Sequence, residues 1–229
     1  MKLKIFFVAA ATLVLFSNIK AQNAQLKAGV NLANVSTTDD GSIDDANMLT
    51  SFHVGILSDV RLGGIFHLQP GVFFTGKGSK IEIGRSTENL YVKQTSNPFY
   101  VEVPVNLVVK LPFNSESNFF FGAGPYGAIG IAGKAKTDSR VLSFTNHTEN
   151  NIEFSNDDPL TFGQEEGTGL GVLKRFDYGL NGIVGVEGKN LVLSAGYGLG
   201  LAKLQSGDNS SADNNNKHRV LNFSVGFKL

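Results

Sequence analysis

The sequence predicts an all-β fold, eight antiparallel strands closed into an up-and-down transmembrane β-barrel. Three observations carry that reading. Apolar residues recur with a period of two through most of the chain after residue 24. The connections between the alternating stretches are strictly short, long, short, long. Glycine stands at 27 of 229 residues with only 6 prolines, an excess over the usual ~7% that suits strands packed or bent closely.

The first 21 residues stand apart from this pattern. Lys2 and Lys4 precede an uncharged run from Ile5 to Phe16, and Ser17 to Ala21 turns polar and ends on a small residue. That order matches a secretory signal peptide over 1–21, leaving 22–229 as one barrel domain. The apolar run is shorter than the roughly 20 residues a membrane helix needs.

The strands follow in order. Leu26, Ala28, Val30 and Leu32 oppose Lys27 and Asn31; Phe52, Val54, Ile56, Val60 and Leu62 oppose His53, Asp59 and Arg61. Phe66, Leu68, Val72 and Phe74 oppose His67, Gln69, Thr75 and Lys77. The fourth stretch sets Phe99 through Leu111, taken every second residue, against Tyr100, Glu102, Asn106 and Lys110. The fifth, 117–133, is rich in Gly and Phe and alternates poorly. Phe176, Tyr178, Leu180, Val184 and Val186 oppose Arg175, Asp177, Asn181 and Glu187. Leu191 through Leu201 oppose Ser194, Gly196, Gly198 and Gly200, and Leu221 through Leu229 oppose Asn222, Ser224, Gly226 and Lys228. Each stretch runs about ten residues, enough for a tilted strand to cross a bilayer.

Short turns fall at Gly63-Gly64, 112–116 and 188–190; long polar connections fall at 36–50, 79–96, 134–173 and 204–217. Bacterial outer-membrane barrels pair short periplasmic turns with long surface loops in this way. A soluble lipocalin-like barrel would alternate equally well, with its apolar face turned inward. Two features favour the membrane. The polar faces hold Gly, Asn, Ser and mixed charge, which suits a crowded lumen, and Phe52, Phe74, Phe99 and Phe176 sit at strand ends like an interfacial girdle. Strands three and four are expected to outrun the membrane, because 80–84 and 89–93 still alternate; the edge they would expose suits strand addition to a partner.

The charge balance, 20 basic against 20 acidic residues, argues against nucleic acid as a partner. The absence of cysteine removes disulfides and thiolate metal sites. Balance hides a split: the long connections sum to about −8, with Asp39, Asp40, Asp44 and Asp45 in the first. Asp40-x-Ser42-x-Asp44 lacks the Gly and closing Glu of a calcium loop, so it reads as a solvated acidic loop that could bridge anionic headgroups through divalent cations.

Eight strands enclose a lumen that side chains just fill. Charges within it must be paired or hydrated, so the sequence predicts a salt-bridged plug in which Asp59, Glu102 and Asp177 face Arg61 and Arg175. A narrow solute channel is the alternative, and a lipid-modifying barrel enzyme a second one. Catalytic, cofactor and metal residues are not expected. Gly122-Ala-Gly124-Pro-Tyr-Gly127 mimics a dinucleotide loop, but another Gly-rich β-like run follows where a helix is required. The stretch 71–78 resembles a P-loop without the Ser or Thr that holds magnesium. His53 and His67 fall on polar strand faces, and His147 and His218 in or beside loops; no serine is singled out as their partner.

Several strand segments together resemble the PorT-like outer-membrane β-barrel family of Bacteroidota. They are A-G-V-N-L-A-N-V (28–35), F-H-L-Q-P-G-V-F-F-T-G-K-G-S-K (66–80), Y-V-E-V-P-V-N-L-V-V-K (100–110), F-F-G-A-G-P-Y (120–126), K-R-F-D-Y-G-L (174–180), Y-G-L-G-L (197–201) and the terminal stretch from Lys217. Glu102-Val-Pro104 and Phe176-Asp177-Tyr178-Gly179 are the most diagnostic. The resemblance implies an eight-stranded outer-membrane barrel; the family's namesake is associated with type IX secretion. The chain ends in Leu229 rather than the customary terminal aromatic, with Phe227 keeping the register. The expected partners are outer-membrane lipid, the barrel assembly machinery and an envelope protein, with the barrel itself a monomer.

Overall fold

A computed structural model describes residues 24–36, 48–83, 90–141, 144–154, 172–204 and 217–229; the expected signal peptide and the acidic run from Asp39 to Asp45 lie outside them. The strands are β1 (Ala24–Ser36), β2 (Leu49–Ser58), β3 (Val60–Gly63), β4 (Phe66–Gly76), β5 (Ser79–Ile83), β6 (Leu90–Pro112) and β7 (Asn118–Val141). They continue as β8 (Phe144–Asn151), β9 (Glu153–Phe154), β10 (Val172–Leu173), β11 (Phe176–Glu187), β12 (Leu191–Gly200) and β13 (Lys217–Lys228).

Eight of these close a ring, in the order β4-β2-β1-β13-β12-β11-β7-β6, with β6 returning to β4 and every pair antiparallel. β3 carries β2 onward past Asp59, and β5 carries β4 onward past Lys77 and Gly78. With the β6–β7 and β2–β4 registers carried over to Val105/Pro125 and Ser58/Pro70, tracing from Asn34 through Arg219, Leu199, Leu180, Pro125, Val105, Pro70 and Ser58 returns to Ala24, a stagger of ten residues (34 minus 24). That stagger tilts the strands by roughly 35–45° and gives an interior that side chains fill.

The period of two sorts the wall into two faces. Leu26, Ile56, Val184, Leu193, Phe223 and Val225 point outward, between 42% and 52% exposed, while Lys27, His53 and Glu187 point inward at 3–7%. Apolar side chains this exposed around the whole ring would be costly in water and are favourable against lipid, so the polar face is the lumen, as the sequence predicts. Phe52, Phe74 and Phe99, on β2, β4 and β6, cluster with centroids 5.1–5.8 Å apart at one end of this belt, Phe74 stacked on Phe99. The opposite end holds Ala24, Leu229 and the short turns. The tightest is Gly63-Gly64, where φ of +155° and +56° suits glycine.

The sequence reading is corrected on the third of the long connections. Residues 134–151 are largely strand: β7 runs ten residues beyond Ile131 and pairs with β8 from Lys134↔Asn151 to Val141↔Phe144. Strands three and four do continue past the belt as the alternation predicts, with residues 79–83 of β5 paired to 92–96 of β6. A four-stranded sheet, β5-β6-β7-β8, therefore stands above the belt on about 30 Å of strand. The poor alternation near 117–133 comes from strand glycines rather than from a break. At Gly124 a Cβ would lie 1.9 Å from the Val105 carbonyl oxygen, so only glycine fits. A register shift at Phe99/Tyr100, just after Pro98, marks where β6 leaves the barrel for the sheet. Of the edge expected over 80–93, the part on β5 is an edge, whereas Val92 and Lys93 lie between β5 and β7; the described edges of the projecting sheet are β5 and β8.

Candidate functional site

The lumen is organised in layers set by strand position. Nearest the termini, Lys110 on β6 pairs with Glu187 on β11 at 2.7 Å and with Asp59 between β2 and β3. Asp59 also meets His67 Nδ1 at 3.0 Å, and Glu187 accepts from Asn118 Nδ2 at 2.9 Å and faces Lys228 at 3.5 Å. An apolar layer of Val108, Phe120 and Val192, joined by Ile183, lies alongside.

A polar cavity of about 80 Å³ comes next, lined by Lys27, Asn31, His53, Gln69, Asn106 and Ser224 among others. Here β1, β2 and β13 are neighbours in the ring, so Asn31, His53 and Ser224 meet across them. Asn31 Nδ2 donates to the Gly76 carbonyl and to Thr75 Oγ1, each at 2.9 Å, which turns its Oδ1 toward His53. His53 Nδ1–H donates to that oxygen at 2.7 Å, leaving Nε2 to accept the Ser224 hydroxyl at 2.8 Å. The chain Ser224–His53–Asn31 thus has the order of an acyl-transfer triad. Its cavity is far below the ~300 Å³ at which small-molecule pockets begin.

Toward the far end, Lys77 occupies the break between β4 and β5. Its backbone N–H donates to the Pro98 carbonyl at 3.0 Å, which fixes the side chain inward. Its ammonium meets Glu102 at 2.7 Å and Asp177 at 2.8 Å, and lies 3.9 Å from the centre of the Tyr126 ring. Asn181 donates to Glu102 at 3.1 Å, and Tyr126 O–H to Asp177 at 3.2 Å. Tyr100 and His218, both fully buried, lie edge to face beside this layer and share a 3.3 Å hydrogen bond. A small apolar cap of Ile152, Leu173 and Leu204 closes over Phe154.

Of the five predicted network residues, Asp59, Glu102 and Asp177 face the lumen and carry ion pairs there. Arg61 and Arg175 do not meet them. Arg61 is exposed beside the short turn, where its Nε donates to the Gly64 carbonyl at 3.2 Å. Arg175 is exposed at the other end and donates to the Phe154 carbonyl at 3.1 Å. The cations that serve the three carboxylates are lysines, Lys77 and Lys110. Distance from the turns could have shown this: Arg61 lies two residues from Gly63 and Arg175 precedes Phe176, so both fall beyond the belt. Among the described residues the lumen holds Lys27, Lys77, Lys110 and Lys228 against Asp59, Glu102, Asp177 and Glu187, and so carries no net charge.

The chain is similar to the solved structures of Ail, the attachment invasion locus protein of Yersinia pestis (14% identity, TM-score 0.40, 90% of this chain and 97% of that one). It is similar also to Neisserial surface protein A (12% identity, TM-score 0.40, 90% and 97%). A further match is Ail in complex with the heparin analogue sucrose octasulfate (14% identity, TM-score 0.39, 90% and 97%). No curated protein matches. The family model described as "Outer membrane protein beta-barrel domain" matches residues 17–206, more than four-fifths of the chain. With a lipid-facing belt around a ring of eight strands, the chain belongs to that family and is a β-barrel of the outer membrane.

Proposed function

We propose that this barrel works as an interaction protein of the cell envelope: its lumen is plugged, and it contacts a protein partner through the sheet raised above the membrane. One observation carries the reading. β8 is exposed along its entire length and, among the described residues, hydrogen-bonds only to β7, so its other edge offers unpaired backbone groups. Such an edge recognises an extended segment by strand addition. The lysine-bridged layers favour this over a solute channel, because ions would have to displace two buried ion-pair clusters. The Ser224–His53–Asn31 chain is assigned a structural role, given the size of its cavity, and the protein is read as non-enzymatic.

The strand motifs favour membership of the PorT-like branch in Bacteroidota. The protein then matures by loss of residues 1–21, is inserted by the barrel assembly machinery and stands as a monomer with both termini periplasmic. A secretion-linked role for the β8 contact fits that branch.

Photo-crosslinkers placed at Thr145, His147 and Thr148 on intact cells test the reading. A discrete adduct is expected, lost on His147→Pro and Thr148→Pro while unboiled gel mobility stays that of a folded barrel. No adduct at any of the three, or one indifferent to both prolines, sinks it. Planar-bilayer recordings should stay near background; steady conductance steps from the wild-type protein would refute the plug.

A further inference from the structure

The wall formed by β11, β12 and β13 carries a groove at the end of the belt away from the termini, lined by Lys174, Lys203, Lys217, Phe176, Tyr178 and Leu201. The backbone sets the three lysines side by side. Lys174 N–H donates to the Leu204 carbonyl at 2.7 Å and Leu201 N–H to the Tyr178 carbonyl at 2.9 Å, and the β12–β13 register runs to Leu199↔Arg219, with Leu201 and Lys217 just beyond it on the same groove. All three lysines are half-buried, which restrains their side chains. Directly below them on the membrane side, Phe176, Tyr178 and Leu201 are 42–58% exposed and continue the lipid-facing belt.

We infer that this groove is a docking site for the phosphorylated headgroup of an outer-leaflet lipid. The lysines supply charge complementary to phosphate, and the acyl chains lie over the exposed aromatic and leucine surface beneath. Continuity with that apolar surface selects a lipid over free phosphate: phosphate alone would engage the lysines and leave the surface below uncovered. Long basic side chains at a bilayer edge place their charge at headgroup depth while their stems cover apolar surface.

Native mass spectrometry of the folded barrel, in mixed micelles of phosphatidylglycerol and phosphatidylcholine, tests the assignment. Wild type should retain phosphatidylglycerol preferentially, and retention should weaken as salt rises. Each lysine contributes about fivefold in affinity at a membrane surface, so K174Q/K203Q/K217Q should lose roughly a hundredfold, and K174R/K203R/K217R should keep most of the preference. Inorganic phosphate at equal concentration should compete poorly. Equal retention by the glutamine variant, or displacement of the lipid by phosphate alone, overturns the assignment. Should the glutamine variant not fold, salt-independent retention by wild type would overturn it equally.

Discussion

Replacing Lys77 with methionine keeps the length of the side chain and removes its charge from between two carboxylates. The contacts at 2.7 and 2.8 Å are each worth about 6 kcal/mol of Coulomb attraction at an effective dielectric of about 20, from ~332/(εr). The Tyr126 ring at 3.9 Å adds roughly 2 kcal/mol when the cation is desolvated. Against this stands the desolvation of three charges, several kcal/mol for each ion. Removing one partner forfeits the attraction while the carboxylates remain buried, Asp177 at 2% and Glu102 at 13% side-chain exposure. The net loss expected for Lys77→Met is therefore about 3–5 kcal/mol. It is measured by urea titration of the reconstituted barrel, scoring folded and unfolded forms by gel mobility, because the chain has no tryptophan to report. A neutral layer, K77M/E102Q/D177N, should return to within about 2 kcal/mol of wild type, as replaced buried ion pairs commonly do. A loss below about 1 kcal/mol for Lys77→Met alone would refute the view that this lysine holds the layer together.

The His53 chain makes an asymmetric prediction in the same assay. Asn31→Ala strands a buried imidazole N–H and should cost about 2–3 kcal/mol, whereas Ser224→Ala removes one donor and should cost about 1 kcal/mol. In the projecting sheet, hydrogen bonds from Lys134 and then Lys136 pull the Glu149 carboxyl down to about 2. Because that value lies below the ordinary ~4.3 of a free glutamate, its contribution is fully present above ~4.3 and fades as pH falls toward 2. Protease protection of the β7–β8 hairpin should follow that window, and Glu149→Gln should flatten it.

The ring, its strand count and its inside face were legible because a membrane barrel obeys one local rule. Side chains alternate between lipid and lumen, and the short turns locate the ends. Heights in the lumen were harder to read. The stagger of ten residues around the ring means that residues at equal distance from their own turns need not face one another. Lys77 therefore meets Asp177 across the barrel although neither neighbours the other in sequence or on an adjacent strand. Arginine was the natural partner by chemistry, since its planar fork suits carboxylates. Position overrode chemistry here: Arg61 and Arg175 fall at the two ends, and lysines occupy the interior. The projecting sheet was half visible. The alternation at 80–84 and 89–93 announced β5 and the outer part of β6, but Thr145 to Asn151 is polar throughout and follows no period. β8 is held by pairing to β7, not by burial, and polarity patterns report only burial.

The ion-pair layer and the sheet are linked by the same residues. Lys77 lies where β4 gives way to β5, Glu102 lies on β6 three residues past the register shift at Phe99/Tyr100, and Asp177 lies on β11 near its outer end. Two of the sheet's four strands are thus tied at their roots to the wall carrying β11. A sheet of three or more strands needs a hydrophobic face or a packing layer to stand alone in water, and this one has no second layer over its outer half among the described residues. Anchoring its base across the lumen shortens the free length and fixes its direction relative to the membrane. In the proposed strand-addition role the lumen charges would support the β8 edge, because an edge strand captures a partner only if its backbone is already extended and held.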